Sequence, residues 1–108
     1  MLEWIILACL NCDVDRARAE GWRSEAALAE TGVYSWSQSD PRRFQSRRQC
    51  MRELRRAAPE TDWSAPDAYG QIDKITHYPD YVEHFQSIPG AMNGAIYSGC
   101  FSVTPPTS

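Results

Sequence analysis

Seven arginines fall within fifteen consecutive positions, Arg42 to Arg56, and their spacing constrains this chain more than any other feature. Asp40 is a good N-cap, because its carboxylate can accept the orphan N–H groups of a first helical turn. Pro41 suits the first helical position, where its missing N–H is no loss. Pro59 ends the run, since it disfavours helical backbone at Ala58 and cannot donate back into a helix. The pattern predicts a helix over residues 41–58. Stepping about 100° per residue, Phe44, Met51, Leu54 and Ala58 share one apolar arc. Arg42, Arg48, Arg52, Arg55 and Arg56 crowd the opposite side, with Gln45 and Gln49 among them. Arg47 intrudes on the apolar arc, so its stem is expected to lie along the core with its head pushed outward.

Charge is distributed as unevenly as the arginines. Residues 42–56 carry seven Arg and one Glu, +6, against four basic and thirteen acidic residues elsewhere, −9, which together give the net −3. A one-sided arginine face can grip an acidic partner surface or track phosphates. It can also be neutralised from within: Glu60, Asp62, Asp67, Asp73, Asp80 and Glu83 face only Lys74 in their stretch. A sequence pI of about 5.3 argues against general affinity for nucleic acid.

At 108 residues the chain has room for one core, and residues 1–104 are read as a single domain with 105–108 as a tail. Ile, Leu, Val and Phe number only 18, so the four Trp and five Tyr must supply much of the buried area. A core so thin suggests completion by a partner chain or an oligomer. No run is long enough to span a membrane. Met1 to Leu10 resembles a truncated signal region ending in a lipoprotein-like Ile6-Leu7-Ala8-Cys9, but it lacks a basic start and carries Glu3. A cytoplasmic location is expected.

The fold expected from these patterns is mainly α, about four helices with an extended C-terminal segment or strand; the alternative is α+β with a small sheet. Residues 2–31 read as one amphipathic helix, with Ile6, Leu10, Val14, Ala17, Gly21 and Leu28 on one face. A strand from Glu3 to Leu7, followed by a helix capped near Asp13, fits as well. Ser24 to Glu30 is a strong helix former. Further short helices are predicted over 65–77, with Ser64 as cap, and after Pro79, with Tyr81, Phe85 and Ile88 at helical spacing. Ala95 to Thr104 is the best strand, needing a partner from Val33–Ser37 or the first few residues. Leu28 to Val33 followed by Trp36 invites comparison with helix-turn-helix proteins. Its glycine spacing is short by one, and only Tyr34 and Ser35 would be left for a recognition helix.

Cys9 and Cys12 form a C-x-x-C that could follow a strand and open a helix, as in thioredoxin-like redox proteins. It stands too early in the chain for that fold, and Asp13 opposes a thiolate. Zinc would need Cys9 and Cys12 with two ligands from Cys50, Cys100, His77 and His84, whose separations do not match zinc modules. Free or buried thiols are expected, with two disulfides of undecidable pairing as the alternative. His77, Asp80 and His84 could form an acid–base cluster, but Pro79 interrupts the register. The sequence therefore predicts a non-enzymatic interaction or assembly protein without cofactor or metal, using Arg42, Arg48, Arg52, Arg55 and Arg56. Nucleic-acid binding through the same face, or a Cys/His zinc or redox module, are the alternatives.

Overall fold

The computed structural model describes residues 2–30, 34–64 and 70–104. The chain runs β1 (Glu3–Leu10), α1 (Val14–Ala19), α2 (Ser24–Leu28), β2 (Ser37–Gln38), α3 (Arg47–Ala57), β3 (Thr61–Ser64), β4 (Ile72–His77), β5 (Val82–Ile88) and β6 (Met92–Val103). The six strands form one antiparallel sheet in the order β2-β1-β6-β5-β4-β3. The mainly α expectation is therefore wrong, and so is the description of a small helical protein. The first strand pairs along its whole length with the last, from Glu3 with Val103 to Leu10 with Ile96.

Each misread segment has a physical reason. β1 lies between helices packed on both faces of the sheet, so Ile5, Ile6 and Leu7 are all buried and no alternation survives to announce a strand. Its β-branched pair Ile5-Ile6 and the capping of α1 by Asp13, whose carboxylate accepts the Arg16 N–H, match the strand-then-helix alternative instead. Ile72 and Ile75, whose spacing of three would put them on one face of the helix expected over 65–77, point to opposite faces of β4; residues 65–69 of that stretch lie outside the described residues. Tyr81, Phe85 and Ile88 stand at helical spacing by coincidence. Tyr78 N–H donates to Tyr81 C=O at 2.9 Å, closing a hairpin that hands residues 82–88 to β5. The last hairpin turns at Pro89-Gly90-Ala91, where Gly90 takes φ +77°, a left-handed backbone that suits glycine.

The core has two leaves separated by the β1–β6 pair. Ile5, Leu7, Cys9 and Phe101 meet Val14, Ala17, Trp22, Ala27 and Trp36 on one face. Ile6, Cys100 and Val82 meet Phe44, Cys50, Met51 and Leu54 on the other. Phe101 is fully buried between Trp22 and Trp36, with ring centroids 5.1 and 4.9 Å away. Gly99 is dictated by Trp22, since a Cβ there would lie 2.9 Å from the indole. The aromatic residues thus supply the bulk that the aliphatic count lacked.

The helices lean on β1 and β6, and the molecule is drawn out to 58 × 30 × 23 Å. Its radius of gyration is 15.2 Å, against about 13 Å for a compact chain of this length. All four residues of the edge strand β3 are exposed, Trp63 among them. No described helix is long and apolar enough to cross a membrane.

Candidate functional site

The arginine helix exists but is shorter at its start than the sequence implies. Its cap is Ser46, whose Oγ accepts the Gln49 N–H at 3.1 Å, rather than Asp40. Residues 41–45 are kept out of the helix by β1: Trp4 and Phe44 exchange both backbone hydrogen bonds, at 2.8 and 2.9 Å. Asp40 instead accepts the Arg42 N–H at 2.9 Å and pairs with its guanidinium. That guanidinium and backbone contact hold the Asp40 carboxyl below the usual carboxylate range. Met51 and Leu54 face the core as the apolar arc required, Cys50 is buried beside them though it was not on that arc, and the disulfide Cys50–Cys100 locks α3 to β6.

The five arginines singled out from the sequence divide into distinct roles. Arg42 is taken by Asp40 and Glu53. Arg55 donates to the Tyr78 and Pro79 carbonyls at 3.2 and 3.1 Å, fastening α3 to the β4–β5 turn. Arg56 reaches Glu53 only at 3.8 Å, with 81% of its side chain exposed. Arg48 and Arg52 are exposed and have no carboxylate partner among the described residues.

The internal acids considered for neutralising α3 are engaged elsewhere or unpaired with it. Asp80 receives Arg18 at 2.6 and 3.2 Å, and that hydrogen bond pulls its pKa down. Asp73 receives His84 at 2.8 Å, and Glu60 accepts the His77 N–H at 3.0 Å. Asp67 lies outside the described residues.

Arg47 departs from the expected outward path. Its guanidinium lies over the Trp22 ring, 5.6 Å from the centroid. Nε and Nη2 are buried without a hydrogen-bond partner among the described residues. Beside it, Arg47, Arg48, Met51, Arg55 and Pro79 line a cleft of about 300 Å³ between α3 and the β4–β5 turn. The intrusion of Arg47 on the apolar arc was visible in the sequence; the cleft was not, because Pro79 arrives from another hairpin.

The cysteines and histidines are arranged otherwise than expected. Free thiols give way to two disulfides, Cys9–Cys12 and Cys50–Cys100, and no cysteine is unpaired. Cys9 lies buried within β1, and Cys12 immediately precedes Asp13, the cap of α1. Were an outside thiol to attack the half-buried Cys12, the leaving thiolate at Cys9 would form in an apolar leaf, which slows exchange. His77 Nε2 lies 2.6 Å from the Ala58 carbonyl at the end of α3, and His84 belongs to Asp73. With Cys9 and Cys12 bonded to each other, the four metal candidates do not assemble, and no group of three or more His, Cys, Asp or Glu fit for a metal occurs among the described residues.

No protein-family model, no curated protein and no solved structure matches this chain.

Proposed function

We propose that this protein is a non-enzymatic docking module that meets an acidic protein surface with the outer face of α3. The observation that carries this reading is the pair Arg48 and Arg52, one helical turn apart, exposed and without a carboxylate partner among the described residues. Arg56 extends the face, whereas Arg42 is the least available of the five because Asp40 and Glu53 hold it. Desolvating such guanidiniums is favourable only against a partner that pairs with them, which makes the face selective for acidic surfaces.

Cofactor, metal and catalytic constellation form no part of this reading. The pairing of all four cysteines favours an oxidising compartment over the cytoplasmic one expected from the sequence, since disulfides are rare where thiols are kept reduced. Nucleic-acid binding through the same face is the second reading; the net charge of −3 speaks against it.

The test compares the wild type with an Arg48→Glu/Arg52→Glu double variant as bait in native-host extract, with partners identified by mass spectrometry. An acidic protein held by the wild type and lost by the variant is the expected outcome. A mobility shift with mixed-sequence nucleic acid whose affinity falls steeply with salt would replace this reading by the second.

A further inference from the structure

We propose that the cleft between α3 and Pro79 is a binding site for a tetrahedral oxyanion, a phosphate or phosphoryl group. This deepens the docking reading by naming the chemical group that α3 takes.

The helix begins with the wrong sign of charge. Helix starts favour acids, because the aligned peptide dipoles leave positive charge there. The first turn of α3 contains no acidic residue and opens with Arg47 and Arg48. Two cations beside a positive dipole end repel one another, and an anion bound between them would relieve that repulsion.

Arg47 supplies the geometry. Nε and Nη2 share one edge of the guanidinium, the edge that grips two oxygens of one oxyanion with parallel hydrogen bonds. In Arg47 this edge is buried and has no acceptor among the described residues. A buried guanidinium edge without acceptors is costly and calls for a physical account. The guanidinium now lies over Trp22, and Arg47 also lines the cleft, so occupation of the site requires the edge to turn about its flexible stem toward the ligand.

The remaining walls set the charge and size of the ligand. Arg48 and Arg55 add two more cations, and no carboxylate lines the cleft. Asp80, the acid nearest in sequence to Pro79, is held by Arg18, and the charge of Arg47 adds a smaller part to the lowering of its pKa. Three guanidiniums match a dianion better than a single carboxylate. A cleft of about 300 Å³ is about ten times a water molecule's share of liquid volume. Met51 and Pro79 leave apolar wall for a substituent on the phosphoryl group.

Isothermal titration of the full chain at low ionic strength tests the site, with inorganic phosphate and phenyl phosphate as probes. Saturable one-site binding is expected. Arg48→Ala and the charge-keeping Arg47→Lys should each weaken it about tenfold or more, the value of a lost charge-assisted hydrogen bond. Arg43→Ala, which removes the same charge outside both the cleft and the docking face, should change it by less than about twofold. Tighter binding of phenyl phosphate assigns the site to a phosphoryl group on a larger molecule; equal binding assigns it to the free ion, and both support it. Should thermal melts show that Arg47→Lys does not fold, Arg48→Ala decides. Absence of saturation, or equal losses for Arg48→Ala and Arg43→Ala, overturns the proposal. Capture of an acidic partner without phosphate binding removes the cleft and leaves the docking reading standing; phosphate binding without such capture does the reverse.

Discussion

Cys50 of α3 and Cys100 of β6 are both fully buried and joined by a disulfide across fifty positions of sequence, so the arginine helix is covalently fixed to the strand at the centre of the sheet. On the proposed docking reading, a partner bound to α3 would pull on the body of the fold and not on a loosely packed helix. The bond also explains how a chain with so few aliphatic residues holds one wall of its core.

The two disulfides should differ in their value to stability. Loop-closure entropy assigns about 4 kcal/mol to a bond closing a loop of this length and about 2 kcal/mol to the four-residue loop of Cys9–Cys12. Cys50→Ala/Cys100→Ala should therefore lower the unfolding free energy in guanidinium titrations more than Cys9→Ala/Cys12→Ala. Equal losses would mean that α3 is held by packing alone.

Gly99→Ala places a methyl group 2.9 Å from the Trp22 indole, which cannot retreat without disturbing Phe101. A loss of about 1–3 kcal/mol is expected, together with altered near-ultraviolet circular dichroism. An unchanged melting temperature would place Trp22 elsewhere.

Arg48→Ala and Arg52→Ala should leave stability within about 0.5 kcal/mol of wild type, as surface changes do. Arg55→Ala should cost about 1 kcal/mol, because its guanidinium serves the Tyr78 and Pro79 carbonyls. Thermal or chemical denaturation reads the difference, and a reversed order would show that Arg55 is the free residue.

Acid should weaken the fold partly through Asp80. Its pKa is lowered in the folded state, chiefly by the hydrogen bond from Arg18, so its contribution is present above the ordinary carboxylate range. As pH falls, the unfolded chain takes up the proton first, and the contribution is lost as pH drops through the lowered folded value. Asp80→Asn should flatten that part of the acid limb. A slope identical to wild type below pH of about 4 would show that the Arg18 contact does not persist in solution.

Local chemistry was readable where one segment decides its own structure. Pro59 stops α3, Asp13 caps α1, and Met51 and Leu54 face inward as their spacing required. Asp40-Pro41 shows the limit of that reasoning, because the same two residues serve a turn once Trp4 claims the backbone of Phe44. The candidate site divides along the same line. The exposed arginines are legible from α3 alone, whereas the cleft needs Pro79 and the burial of Arg47 needs Trp22.

By itself the sequence determined a lopsided charge, a cationic helix ended by proline, and a core dependent on aromatic rings. Tertiary structure alone decided that residues 3–10 are a strand and that the cysteines pair 9 with 12 and 50 with 100. A segment buried on both faces loses the alternation that marks a strand, and the partner that makes it one, β6, lies some ninety residues away. Strand pairing at such separation depends on which backbone groups meet after collapse, and no local window of sequence contains that information.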